Sequence, residues 1–195
     1  MAGRIPEIFN ENWMELVVPD ATELRFINAP FGSLLPAQRA EASWLIERMA
    51  VLAWAVGAAE LPPFFRQING AKVSKTLGIF QAEAKERVEA AHLRSPDEIV
   101  MGAETYAALQ WRLSEHARNP GHVDLYQKVK DPESEHLTVE GLEFIEGDLA
   151  IEGVPLSTVQ QEKLGLTFSI VYQRFKGFRW LLGYDRGEST VTAVN

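Results

Sequence analysis

The chain has 195 residues, 46% of them hydrophobic and 24% charged, with a net charge of −8 and a pI of about 5.1. That suits one folded domain with a substantial core, and the acidic balance argues against a general phosphate-binding surface, because nucleic-acid binders usually carry a basic face. There is no cysteine, which excludes disulfide scaffolds, thiolate zinc sites, iron–sulfur clusters and cysteine nucleophiles.

The first residues, MAGRIPEIFNENWMELVV, lack the basic-then-apolar layout of a signal peptide. The longest mostly apolar run, Met49 to Leu61, is too short to span a bilayer and contains Glu60. A cytoplasmic protein without a membrane partner is expected. Residues 1–36 read as an irregular arm, because Pro6, Pro19, Pro30 and Pro36 break any long helix. Within it Met14–Val18 and Leu24–Ile27 read as short edge strands. Trp13, Phe26, Ile27 and Phe31 suit an arm wrapped on a helical core.

The first helix is expected over about 37–56, with Pro36 at its start and Gly57 and Pro62-Pro63 ending it. Leu45, Met49, Leu52 and Val56 form one stripe, while Glu47, Val51 and Trp54 share the opposite side. Both sides are apolar, so the helix is expected to be central, and Glu47 then needs a cation or a donor. Pro62-Pro63-Phe64-Phe65 reads as a loop laying aromatics on the core, Asn69-Gly70 as a turn, and Ser74 as the cap of a short helix toward Phe80. Residues 82–91 are strong helix formers with little apolar face, hence an exposed helix. Ser95-Pro96-Asp97-Glu98 joins an N-cap serine, proline at the first helical position and glutamate three after the cap, so a helix is expected from there to about Arg118.

Residues 119–140 read as a long polar loop. Leu142–Ile145, a Glu146-Gly147-Asp148 turn and Leu149–Ile151 read as a small β-hairpin, with Glu152-Gly153-Val154-Pro155 leading off it. The most strongly patterned stretch is Ser157–Asp185, where Leu164, Phe168, Val171, Phe175, Phe178 and Leu182 recur at helical steps, with Trp180 on roughly the other side. It is apolar over much of its circumference, so it is expected to be a buried central helix. The expected fold is a mainly α, single compact helical domain over 37–185 around that C-terminal helix, with a small β-hairpin, the N-terminal arm of 1–36 packed on the core, and a polar tail over 186–195.

Three segments together resemble a widespread bacterial family, the domain of unknown function numbered 4272. They are WLIERMAVLAWAVG (44–57), LRSPDEI with YAALQWRLSEHAR (93–118), and EGDLAIEGVPL with YQRFKGFRWLLGYD (146–185). In the first, Trp44, Glu47, Trp54, Ala55 and Gly57 match the family pattern; in the second, Trp111, Arg112, Leu113 and Arg118 correspond, with Trp111 replacing tyrosine; in the third, Arg174, Trp180, Leu181 and Gly183 match. Ser114, Glu115, Phe175 and Arg179 stand where the family has histidine, tryptophan, histidine and asparagine. The resemblance implies a compact, mainly helical domain and supplies no activity.

The best candidate for chemistry is Glu47 with Arg112 and Arg174, each on a helix expected to be central, with Trp54 and Trp180 completing a candidate ligand-binding set. One reading is a pocket in which the arginines grip a carboxylate or phosphate. The other is a buried inter-helix ion pair that fixes helix register, and solvation alone favours it. Whether these side chains face an open cavity or pair off in a dry interface separates the two. His92, His116, His122 and His136 show no metal-ligand spacing, no Gly-x-Ser-x-Gly elbow exists, and Gly32-Ser33 and Asn69-Gly70 form no phosphate loop, so no metal, cofactor or catalytic residue is assigned. The leading expectation is a non-enzymatic protein-interaction module of accessory or immunity type, with another protein as partner, no nucleic acid, and homo-oligomerisation left open. The alternative is a small-ligand binder or enzyme using the Glu/Arg cluster.

Overall fold

A computed structural model describes residues 21–184, apart from positions 80, 83, 135 and 136. The expected strand at 14–18, the helix end at Phe80 and the tail over 186–195 lie outside the described residues. The rest is mainly helical, with a small antiparallel sheet. Leu24–Ile27 is not an edge strand; it lies in helix α1 (Ala21–Ile27). Leu24 and Ile27 are three residues apart, which suits a helical turn as well as a strand, and Arg25 settles the helix against its successor through an ion pair with Glu41 at 2.6 Å.

Helix α2 (Pro36–Ala55) carries proline in its first turn and ends before Gly57, whose φ of +69° is open to glycine at little steric cost. Its buried residues are Glu47, Ala50, Val51, Ala53 and Ala55, while Leu45, Met49, Leu52 and Val56 are only half-buried. The side turned to the core is therefore the small-residue side, not the stripe of large ones. The reason is close approach. A Cβ added to Gly177 of the C-terminal helix would lie 3.1 Å from Val51 Cβ, so the two backbones meet where side chains are smallest.

Asn69-Gly70 opens helix α3 (Gly70–Leu77) instead of a turn. The Asn69 side chain accepts from the Lys72 amide at 3.0 Å, so asparagine, and not Ser74, is the cap. Helix α4 (Ala84–Ala90) follows. Helix α5 (Pro96–Arg118) starts as its sequence predicts: the Ser95 hydroxyl accepts from the Glu98 amide, and Glu98 accepts from the Ser95 amide at 3.0 Å. The polar stretch after it is less irregular than expected. It contains helix α6 (Leu125–Lys128), capped by Asp124, and a 3-10 turn at Pro132–Ser134.

The hairpin is a three-stranded meander of β1 (Phe144–Ile145), β2 (Asp148–Ile151) and β3 (Val154–Pro155). Phe144 pairs with Leu149, and Ile151 with Val154. Both connections are Glu-Gly pairs with positive φ at each residue, 53° and 83° at Glu146-Gly147 and 53° and 72° at Glu152-Gly153. That is the type I′ signature of two-residue hairpins, so the second pair closes another hairpin where the sequence suggested only a lead-off.

Helix α7 (Gln161–Leu181) lies against both α2 and α5. Its fully enclosed row is Thr167, Ile170, Val171, Arg174, Gly177 and Phe178, rotated from the all-apolar stripe so that an arginine and a glycine sit at its centre. Phe178 holds the junction, with its ring centroid 5.4 Å from Trp54 and 5.2 Å from Tyr106. Among the described residues no helix is long and apolar enough to cross a membrane.

Two glycines in long helices make a paired test of this packing. A Cβ on Gly102 would come within 2.6 Å of the buried Phe178 ring, whereas one on Gly165 meets nothing within 4 Å. Urea denaturation is expected to show Gly102→Ala destabilised by about 1–3 kcal/mol through overpacking. Gly165→Ala, gaining helix propensity without a clash, is expected to be stabilised by roughly 0.5–1 kcal/mol.

Candidate functional site

Glu47 projects from the small-residue face of α2 and Arg174 from the enclosed row of α7, and both side chains are completely buried. Arg174 Nε donates to Glu47 Oε2 at 2.8 Å. Its Nη1 donates to the Pro62 carbonyl at 2.8 Å and to the Tyr106 hydroxyl at 3.0 Å, and its Nη2 to the Arg66 carbonyl at 2.8 Å. Glu47 uses its other oxygen to accept from the Ile68 amide at 2.8 Å. Every nitrogen of the guanidinium and both carboxylate oxygens thus have partners, which is what makes a buried charge pair tolerable. Burial pushes the Tyr106 phenol above its ordinary pKa, with the neighbouring Arg174 working in the opposite sense.

Arg112 does not join this group. It lies six residues beyond Tyr106 along α5, about 9 Å at the helical rise, and makes a separate buried pair with Asp148. Arg112 Nε donates to Asp148 Oδ1 at 2.7 Å and Nη2 to Oδ2 at 2.6 Å, a bidentate fork. Nη2 also donates to the Gly121 carbonyl at 2.7 Å, and Asp148 accepts from the amides of Val123 and Leu149. Burial pushes the Asp148 carboxyl up; the Arg112 hydrogen bonds and the two amides outweigh it and hold the group below its ordinary pKa.

The tryptophans separate too. Trp54 packs edge-on against Phe178, with the Arg94 guanidinium 4.8 Å over its ring. Trp180 is 49% exposed on the outer face of α7. The sequence reading places Asp148 in a turn and does not single out Tyr106. A signal for Asp148 existed in the sequence: it is the acidic head of a short apolar run, Leu149-Ala150-Ile151. Nothing in the sequence pointed to the carbonyls of Pro62 and Arg66.

One surface depression of about 480 Å³ is lined by Ala42, Ser43, Leu45, Ile46, Arg48, Met49 and Leu52, and another of about 320 Å³ lies between Ala58–Glu60 and α3. Neither is lined by Glu47, Arg112 or Arg174. Among the described residues no group of three or more His, Asp or Glu side chains is placed to hold a metal ion. His122 is engaged with the Glu146 carbonyl at 2.8 Å, and His136 lies outside the described residues.

The Asp148 pair has a definite pH signature. Because the folded carboxyl titrates below the unfolded value of about 4, its stabilisation is present above that value and disappears as pH falls through the folded pKa. Asp148→Asn leaves Arg112 charged and without its buried partner, at a cost of about 3–5 kcal/mol at neutral pH. In denaturation series from pH 7 downward, the gap between the parent and Asp148→Asn is expected to stay constant above about pH 5 and narrow below about pH 4.

Nothing among the curated proteins or the solved structures matches the chain. One family does, over residues 18–129, more than half of the sequence and including the segments around Glu47 and Arg112. By that match the chain belongs to the family described as Domain of unknown function (DUF4272).

Proposed function

We propose that this chain is a non-enzymatic, cytoplasmic protein-interaction module, an accessory or immunity-type partner of another, bacterial protein. The observation that carries this reading is the saturation of the central Glu47–Arg174 pair. Glu47 and Arg174 are wholly buried and bonded to each other, to Tyr106 and to loop backbone, and they line neither of the two depressions described above. What is offered outward is different chemistry. The outer face of α7 carries Leu166, Tyr172 and Trp180, exposed by 40%, 39% and 49%. Large amphipathic side chains such as Tyr and Trp are favoured at binding surfaces, because they contribute contact area and polar contacts at low entropic cost. The net charge of −8 favours a partner of basic surface, steering the encounter over a distance that salt shortens.

Two sets of variants separate this reading from a ligand site at the buried pair. Glu47→Gln is expected to destabilise the fold by about 3 kcal/mol or more, read as a lowered Tm, while partner capture below that Tm is unchanged. Tyr172→Ala with Trp180→Ala is expected to leave stability within about 0.5 kcal/mol, as for surface substitutions generally, and to abolish capture. Affinity purification from the native host with each variant as bait, quantified by mass spectrometry, gives the comparison. Binding lost in a Glu47→Gln, Arg174→Gln double variant that keeps its Tm would overturn the proposal in favour of the ligand site.

A further inference from the structure

On the outer side of α5, away from its enclosed row of Tyr106, Leu109 and Leu113, the residues Asp97, Val100, Met101 and Glu104 follow at steps of three, one and three. That spacing gathers them on one stripe of a helix. Val100 and Met101 stand side by side, 40% and 41% exposed, with a carboxylate one turn before them and one turn after. A single exposed apolar side chain needs no explanation. An apolar pair bracketed by charges has the anatomy of a small contact, an apolar centre with a polar rim. We propose that this stripe docks a basic amphipathic helix of the partner protein, one with two adjacent apolar residues and a lysine or arginine one turn to either side. The proposal rests on the reading of the chain as a protein-interaction module, and adds to it a second surface and the chemistry that surface takes.

Charge complementarity decides the occupant. Arg94, the nearest cation in sequence, is already engaged: its guanidinium donates to Glu60 at 2.6 Å and to Glu98 at 3.2 Å, and lies 4.8 Å from the centre of the Trp54 ring. Asp97 and Glu104 have no ion pair among the described residues. The helix dipole accounts for an acid in the first turn such as Asp97, but its hold does not reach Glu104, two turns further in. A lysine or arginine laid over either carboxylate gains a partner without breaking an existing pair. A helix is the matching form. Seven residues of helix rise about 10 Å, so the two carboxylates fall opposite cations at the ends of an equal stretch of partner helix, with the apolar pairs between them. This is recognition of a helix by its i, i+3, i+4 and i+7 positions. Methionine suits such a surface, because its unbranched chain repacks against varied neighbours.

The probe is a fluorescein-labelled helical peptide of the repeat Lys-Ala-Ala-Leu-Leu-Ala-Ala, titrated against the full chain by fluorescence anisotropy. A matched peptide has serine in place of leucine and the same charge, and this comparison needs no variant of the chain. The parent is expected to bind the leucine peptide about tenfold more tightly than the serine peptide, and Val100→Ser with Met101→Ser to remove that advantage. Asp97→Asn with Glu104→Gln is expected to weaken the leucine peptide by about threefold and to flatten its dependence on salt. Val154→Ser, at an apolar residue 42% exposed in the meander, is expected to change neither. Equal affinity of the parent for the two peptides overturns the proposal, since net charge then suffices, as does unchanged binding of the leucine peptide by the Val100, Met101 double variant or no binding by the parent. A dimer of the parent that Met101→Glu dissociates, read by sedimentation, overturns it in favour of a second copy on this face. In capture from the native host, a partner held equally by the parent and the Val100, Met101 double variant overturns this surface and leaves the module reading standing. Peptide binding as expected with no partner captured overturns the module reading and leaves the stripe as a site for basic helices.

Discussion

A guanidinium with no exposed atom sits where α2, α5 and α7 meet, and the arrangement of these helices depends on it. Taking Arg174 out of water costs several kcal/mol before any contact is made. The cost is offset only if Glu47, Tyr106 and the carbonyls of Pro62 and Arg66 all stand where they do. A purely apolar interface tolerates small slips of one helix along another. This one does not, because a shift of one turn, about 5.4 Å, would break every one of these bonds. A missing side chain makes the geometry reachable: Gly177 on α7, where an added Cβ would lie 3.1 Å from Val51 Cβ and 3.4 Å from the Arg48 Cα, brings the backbones close enough for a glutamate and an arginine to meet side-on.

Arg112 makes a second buried pair where the sheet meets α5, with its Nε and Nη2 satisfied and its Nη1 without a partner among the described residues. The two arginines share more than a carboxylate partner. Each also donates to carbonyls in backbone that belongs to no helix or strand, Pro62 and Arg66 in one case and Gly121 in the other. Buried loop carbonyls have no ladder to satisfy them. The arginines act as substitutes for secondary structure, tying irregular connections into the interior. Exchanging either pair for hydrophobic residues of similar volume would therefore orphan main-chain groups as well as remove charges, and the near-neutral outcome known for simpler buried pairs is not to be expected here.

Much of this was legible in the sequence, for physical reasons that can be named. The capping box at Ser95, the prolines and glycines bounding α2 and the periodicity of α7 are local signals, and local chemistry decided those elements. Glu47 and Arg174 could be singled out because a charge on a helix apolar all round has to be compensated. Their pairing spans 127 residues, and Arg112 looked like an equal candidate until the fold gave it Asp148. Which side of α2 faces inward was not legible either. Hydrophobicity favours the side of Leu45 and Met49, and close approach to Gly177 favours the side of Ala50 and Val51. Only the tertiary partner decides between them. Asn69 reads equally as a turn or a cap until the following residues are known to be helical.

The two Glu-Gly turns divide the molecule by the length of chain each contact must close. Six residues separate Glu146 from Glu152, and every strand pairing in the meander joins residues fewer than six apart. Such contacts lose little loop entropy and can assemble on the microsecond scale of hairpins. The Glu47–Arg174 contact has to bring together the two ends of most of the domain. The meander is thus the part of the chain whose order needs least from elsewhere. The segment from Pro62 to Ile68 is the opposite case: its backbone bonds to the long-range pair and Phe64 is buried in the shared core, so its order depends on contacts that only the closed domain supplies.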